Sequence, residues 1–259
     1  MDALQKERLK TVYARVTAAL EEVVRDLRVT EEELHLAGRF FNRLGASGFF
    51  PSMLDVALSV PSLEASRSDL RGTRANVEGP FYRAGAPVRR DGSILEHQPG
   101  PTAESCVVEG RVTDAVTGQG IAGAELDFWQ ADEDGQYDNV GWHLRGVIVA
   151  DAAGNYSLKT VVPNDYPQHQ FDPVGELLSA MDLPVYRAAH IHLKVRVGGQ
   201  ERLTTQFFMP DSAYLDKDYV RGAVVPELIV QKAAVHGPGR RASKIRFDIA
   251  LPVALLTVA

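Results

Sequence analysis

The segment RAAHIHLKV, residues 187–195, sets His190 and His192 two positions apart beside Arg187, in a run that alternates polar and apolar residues. In a β-strand, residues i and i+2 project from one face about 7 Å apart, so two imidazoles at this spacing can converge on one metal ion. Ile191, Leu193 and Val195 mark the opposite face as apolar. Alone, a His-x-His pair also fits two surface histidines or a satisfied core histidine, and a metal centre needs further donors. The carboxylate four positions on that would complete a facial triad is missing, because residue 196 is Arg, which counts against a ferrous oxygenase of that kind. A zinc centre would draw on a third His or a Cys. The remaining histidines, His35, His97, His143, His169 and His236, share no spacing with the pair. Tyrosine offers two other donors: Tyr137 follows the tight turn of ADEDGQYDN, and Tyr166 lies in the proline-bracketed loop VVPNDYPQH. Each taken alone is equally a turn-packing aromatic. Asp132, Glu133 and Asp134 with Gly135 lack the other positions of a calcium loop and read as a solvated turn.

The elements that must hold these residues change character along the chain. Leu9, Val12, Val16, Leu20, Val23 and Leu27 recur three or four apart, predicting a helix over 5–28. Thr30 and Glu33 form a capping box that opens a second helix with Phe40, Phe41 and Leu44 on its apolar face, stopped near Gly45. A third apolar stretch, SMLDVALSV, ends at Pro61, and SLEASRSDLRGTRAN reads as a polar linker. From about residue 105 the period becomes two. CVVEGRV, AELDFWQ, LRGVIVA, NYSLKTVV, AHIHLKVRV, RLTTQFFM, ELIVQ and KIRFDIAL are strand-like runs separated by turn clusters such as DAVTGQG and DAAGN. The pattern predicts a helical unit over 1–75 and an antiparallel β-sandwich over 76–259.

Composition narrows the class. With 45% hydrophobic and 24% charged residues the chain is globular, and a net charge of −6 provides no basic field for a phosphate backbone, so nucleic acid is not expected as a partner. The single cysteine, Cys106, excludes an internal disulfide framework and reads as a buried strand residue. No apolar span reaches membrane length and the N-terminus has no signal-peptide h-region, which makes the cytoplasm the default expectation.

Taken in order, VEGPFYRAGAP (77–87), VEGRVTDAVTGQGIAGAELDFWQADEDGQYD (108–138), DAAGNYSLKTVVPNDYP (151–167), RAAHIH (187–192), LTTQFFM (203–209) and YLDKDYV (214–220) resemble the intradiol ring-cleaving dioxygenases of the catechol 1,2-dioxygenase type. The resemblance runs over nearly the whole chain, since that family also opens with helices that form a dimerisation domain and, in relatives, enclose a phospholipid. It implies one non-haem Fe(3+) per subunit held by Tyr137, Tyr166, His190 and His192. Ferric iron is a hard acid that suits phenolate oxygen and lowers a phenol pKa far below its free value near ~10. The activity implied is cleavage of catechol by O2 between its hydroxyl-bearing carbons to cis,cis-muconate, with Tyr166 the ligand that detaches and accepts a substrate proton. Arg187 matches the arginine that lies over the ring and stabilises developing negative charge. Gln206 matches a glutamine beside the ligands. Leu54, Val77, Pro80, Phe81 and Tyr82 match positions around the ring.

Two departures bear on the substrate. Ala188 stands where relatives carry a proline, which is expected to cost loop rigidity. The residues before Arg187, 181–186, lack the basic and aromatic side chains common there. FWQADEDGQYDN leans toward hydroxyquinol enzymes and VEGPFYRAGAP toward catechol enzymes, so catechol is the expected substrate, with hydroxyquinol or substituted catechols as alternatives. A prealbumin-like binding module without catalysis and a zinc hydrolase are the rival classes.

Overall fold

The computed structural model describes residues 1–67, 71–235 and 241–252. Residues 68–70 of the predicted linker and His236 lie outside the described residues. The helical periodicity yields α1 (Ala3–Leu27), α2 (Glu31–Ala46) and α3 (Phe50–Arg67). At the start of α2 the capping box closes reciprocally, with Thr30 N donating to Glu33 Oε2 at 2.7 Å and Glu33 N to Thr30 Oγ1 at 3.3 Å. The third helix departs from expectation by running through Pro61 to Arg67. Proline deletes one N–H from the ladder and crowds the turn before it. Here tertiary contacts hold the helix: Val60 is buried beside Gly222, and Arg221 N donates to Val56 O at 3.1 Å.

Two compact units result, Met1–Pro51 and Ser52–Ala259. The division therefore falls in the first turn of α3 instead of at 75/76, because α3 takes its contacts from residues 221 and 222. No helix among the described residues is long and apolar enough to cross a membrane.

The second unit is a mainly β sandwich. Its strands are β1 (Ser105–Asp114), β2 (Glu125–Gln130), β3 (Arg145–Val149), β4 (Asn155–Val161), β5 (Tyr166–Pro167), β6 (Tyr186–Arg187), β7 (His190–Val197), β8 (Gln200–Phe208), β9 (Lys232–Val235), β10 (Ala242–Arg246) and β11 (Ile249–Leu251). One sheet has the order β3-β2-β7-β8 and is antiparallel throughout. In the other, β1 pairs with β4 antiparallel but with β10 and β11 in parallel. The run KIRFDIAL breaks at Phe247–Asp248 into two short strands that both lie along β1, so this sheet is mixed.

ELIVQ forms a 3-10 turn at Pro226–Leu228 instead of a strand, as proline removes a ladder donor there. An unanticipated helix, α4 (Pro173–Ala180), is announced by Asp172, which caps the N–H groups of Val174 and Gly175, and by proline at its first position.

Alternation buries one face of each sheet against the other. Phe128 on β2 meets Tyr156 on β4 with ring centroids 5.9 Å apart, and Phe207 on β8 stacks on Phe247 at 4.6 Å. Gln130 crosses between the layers, donating to Val161 O at 3.0 Å and accepting from Thr160 Oγ1 at 2.8 Å. Cys106 is buried in β1 as expected, and burial pushes its thiol up to about 12.

Gly110 lies opposite Tyr156, whose hydroxyl donates to Phe247 O at 2.5 Å. A Cβ at Gly110 would stand 1.9 Å from that same oxygen and 2.8 Å from the tyrosine ring. Gly110→Ala should therefore destabilise the second unit by about 2 kcal/mol or more through overpacking. Chemical denaturation would read this as a lower midpoint at unchanged slope; an unchanged midpoint would show that β1 can shift.

Candidate active site

Strand β7 is hydrogen-bonded on both edges, and this fixes which side chains share a face. His192 is directly opposite Trp129 of β2 and Gln206 of β8, while His190 is opposite Phe208. Ile191, Leu193 and Val195 point into the sandwich and are fully buried, as the alternation predicts. His190 and His192 are each 1% exposed, and their Nε2 atoms face each other at 2.9 Å with the rings nearly perpendicular at 84°. His190 Nδ1 donates to Ala188 O at 2.5 Å, which leaves Nε2 as the lone-pair nitrogen. Trp129 stacks flat on His192, with centroids 4.7 Å apart and planes 2° from parallel.

Both tyrosines arrive at the same place from loops. Tyr166 opens β5 and pairs with Arg187 of β6. Tyr137 follows a turn in which Asp132 Oδ1 accepts from Asp134 N and Gln136 N, so the acidic cluster serves the turn. Gly135, with φ +76°, lets the two loops touch, since a Cβ there would meet Asp165 O at 2.6 Å. The Tyr137 ring stands 5.2 Å from that of Tyr166, and the Tyr166 ring 5.5 Å from that of His190.

Both phenol oxygens are buried without a hydrogen-bond partner. Burial holds both phenols above their ordinary value, that of Tyr137 further raised by Tyr166, that of Tyr166 partly offset by Arg187. Burial likewise holds both imidazoles well below the usual histidine value, with positive Arg187 adding to the effect.

Two neutral imidazoles and two phenols thus converge with hydroxyls unpaired, an arrangement that costs about 1–3 kcal/mol per orphaned group in a protein with nothing else there. A hard, highly charged cation would satisfy all four by taking two phenolates and two lone pairs. No group of three or more His, Cys, Asp or Glu gathers for a metal among the described residues. The donor set therefore fits a ferric ion and lacks the third His, Cys or carboxylate of a zinc centre.

A cavity of about 520 Å³ is lined by Val77, Gly79, Pro80, Arg187 and Tyr219 and by Asp55 and Ser59 of α3. None of the four donors lines it directly; Arg187, which pairs with Tyr166, and Gly79, where a Cβ would stand 3.5 Å from His192 Cε1, connect it to them. Phe81 stacks on Tyr137 at 4.4 Å and meets Tyr166 edge-on at 5.8 Å. Three of the expected wall residues do not line this cavity: Phe81 packs against the tyrosines, and Leu54 and Tyr82 lie elsewhere. Leu54 is 44% exposed, and its helical neighbours Asp55 and Val56 face the cavity in its place. Tyr82 turns away to a polar cluster behind Trp129, where its hydroxyl donates to Asp127 Oδ2 at 3.1 Å and accepts from Arg196 at 2.6 Å. Gln206 is fully buried and donates to Asn76 Oδ1 at 2.9 Å.

Residues 77–253 match the family model described as Dioxygenase. A chlorocatechol 1,2-dioxygenase of Pseudomonas sp. (strain P51) is 31% identical over 230 residues, covering 86% of this chain and 90% of the relative. A hydroxyquinol 1,2-dioxygenase of Nocardioides simplex is 32% identical over 269 residues, covering 96% and 91%. The crystal structure of chlorocatechol 1,2-dioxygenase from Pseudomonas putida superposes with a TM-score of 0.83 at 29% identity, over 97% of this chain and all of that one.

The chain belongs to the intradiol dioxygenase family. Membership in a family of ring-cleaving oxidoreductases sets aside the binding module and the zinc hydrolase. In this intradiol dioxygenase several residues around the donors escaped the sequence reading. Arg145, 1% exposed, donates to Asp138 O at 2.8 Å and Phe81 O at 2.6 Å, clamping both sides of the Tyr137–Phe81 stack. Lys194 reaches Glu78 at 2.5 Å and Glu201 at 2.9 Å, pinning the 76–82 segment to β7 and β8. Asp165 sits beside Tyr166 and accepts from Ala189 N at 2.7 Å, next to His190, and from Ser212 Oγ. Only alternation on β7 hinted at Lys194; the others depend on loop contacts that spacing does not encode.

Asp165→Ala leaves the buried Ala189 N–H with only the longer bond to Ser212 Oγ at 3.2 Å and takes away the acceptor of the Ser212 hydroxyl, so the variant should lose about 1–3 kcal/mol of unfolding free energy. Denaturant titration alongside metal analysis should show lower stability together with weaker metal retention; intact retention would mean that Asp165 does not hold the two donor segments together.

Proposed function

We propose that the protein cleaves the ring of catechol between its two hydroxyl-bearing carbons with O2, giving cis,cis-muconate, with one Fe(3+) held by Tyr137, Tyr166, His190 and His192. The observation that carries this reading is the convergence of two unpartnered phenols and two facing imidazoles beside a cavity that a buried arginine lines. When bound, the ferric ion supplies Lewis acidity and a template for the substrate oxygens. Held as a phenolate by the ion, Tyr166 would accept a proton from a catechol hydroxyl, with Arg187 beside its oxygen favouring the charged form. Arg187 faces the ring and stabilises the negative charge that develops as it reacts. Val77 and Pro80 confine the ring at the cavity, and Phe81 props the tyrosines from behind, which keeps water from the donors. Both oxygen atoms of O2 end in the diacid, so no external reductant is consumed.

A second substrate reading is favoured by the α3 wall. Asp55, whose Oδ1 accepts from Ser59 Oγ at 2.8 Å, offers a carboxylate to any ring hydroxyl that points outward. Hydroxyquinol carries such a hydroxyl and a chlorocatechol does not. A homodimer formed through the apolar residues that α1 leaves exposed, including Leu9, Val12, Val16 and Leu20, belongs to the same proposal, as does a bound phospholipid there.

Purified protein should be coloured by phenolate-to-ferric charge transfer and should consume O2 with catechol in an oxygen-electrode assay, with the acyclic diacid seen by its ultraviolet absorption. Tyr166→Phe should shift the band and abolish turnover, and His192→Ala should lose iron. Colourless, iron-free wild-type protein would end the assignment. Asp55→Ala should lower the preference for hydroxyquinol over catechol by about tenfold, the worth of one hydrogen bond of ~1.4 kcal/mol. A preference unchanged in kcat/KM would remove Asp55 from substrate recognition.

A further inference from the structure

We propose that Asp218 is a positioning residue for Arg187, and that the main-chain N–H of Ala188 belongs to the same device. The inference rests on the reading of Arg187 as the cation that faces the substrate.

The pair is deeply buried, with the side chains of Arg187 and Asp218 1% and 2% exposed. Arg187 Nε lies 2.9 Å from both carboxylate oxygens of Asp218. The same carboxylate accepts from Ala188 N at 2.9 Å through Oδ2 and from Val220 N at 2.9 Å through Oδ1. Three donors from two chain segments therefore hold it, and it cannot swing without breaking main-chain bonds.

Which edge of the guanidinium Asp218 engages decides what remains for the cavity. A carboxylate forked across the two terminal nitrogens would consume the end of the side chain. Asp218 takes the Nε position instead, and one terminal nitrogen, Nη2, is left buried and without a partner on a residue that lines the cavity. Tyr219, the next residue, stands with its ring 5.9 Å from the guanidinium carbon, and its own hydroxyl is tied to Gln168 Oε1 at 2.7 Å. The plane of the cation is thus constrained from a second direction.

Burial weakens the hold of Arg187 on its proton, and the neighbouring Asp218 more than offsets that effect. Ala188 contributes because it has an N–H to give. A proline at 188 would lack that donor and leave Asp218 Oδ2 with one fewer anchor.

The test compares Asp218→Asn, Asp218→Ala, Ala188→Pro and Arg187→Met as iron-loaded holoproteins. Asp218→Asn preserves shape while removing charge. It should keep the iron content and visible band of the wild type, hold KM within about threefold, and lose about 10- to 100-fold in kcat, the scale of a misplaced catalytic group. Ala188→Pro should move kcat in the same direction by less. Arg187→Met should lose at least as much as Asp218→Asn, and the double variant should be no slower than Arg187→Met alone. A kcat for Asp218→Asn within about twofold of wild type, losses that multiply in the double variant, or a change confined to KM would overturn the proposal.

A second readout does not need turnover. Hydrogen exchange followed by mass spectrometry should show faster exchange in the 186–192 segment of Asp218→Ala, since the Ala188 amide loses its acceptor. Unchanged exchange there would overturn the proposal as well. Wild-type protein that turned over no catechol would instead count against the proposed function, and the exchange measurement would still decide whether Asp218 anchors this segment.

Discussion

Because β7 is laddered to β2 on one edge and to β8 on the other, its side chains cannot change faces without breaking both sets of hydrogen bonds. The face opposite the core must then carry His190, His192, Lys194 and Arg196 in line, with Trp129, Gln206 and Thr204 standing beside them from the neighbouring strands. Each neighbour limits a histidine or its surroundings: the indole lies flat on His192, Phe208 flanks His190, and Lys194 draws the 76–82 segment down through Glu78. The donors are rigid because the sheet that carries them is rigid on both sides, whereas the tyrosines depend on loops and need separate anchors. Those anchors are the Asp132 turn and the Arg145 clamp for Tyr137, and Asp165 with the β5–β6 pair for Tyr166.

The electrostatics of the site follow from dryness. Phenols are kept protonated and imidazoles neutral by the same loss of water, so the charge felt by the four groups comes from Arg187, with its Asp218 partner, and from Arg145 beside Tyr137. A pocket of this kind is a poor host for an isolated anion or a weak cation, and a good one for an ion strong enough to displace the phenolic protons. Were phenolates to form there, Arg187 would become a countercharge to them, which would reverse its effect on the neighbouring groups.

Much of this was legible in the sequence for a physical reason: strand alternation and capping chemistry are local. The His-x-His face, the Thr30 box and the buried Cys106 each depend on a few neighbouring residues, and each appears where the pattern places it. What escaped was non-local. Helix α3 passes Pro61 because residues far along the chain grip it, the parallel pairing of β10 and β11 on β1 is a matter of topology, and Asp218 meets Arg187 across 31 positions. Leu54 illustrates the limit of transferring a position by resemblance. On a helix a shift of one residue turns a side chain by about 100°, which is enough to exchange Leu54 for Asp55 at the cavity.

That exchange matters beyond one residue, since donors and walls come from different parts of the fold. The four donors belong to β7, β5 and the turn after β2, all tied into or against the sandwich. The cavity walls come largely from α3, the 76–80 segment and Tyr219 with Val220, which meet through bonds such as Arg221 N to Val56 O and Asn76 Nδ2 to Ala223 O. A substitution at Asp55 or Ser59 on the cavity-lining face of α3 changes a wall without touching β7, whereas no comparable freedom exists on β7, whose side chains are fixed from both edges.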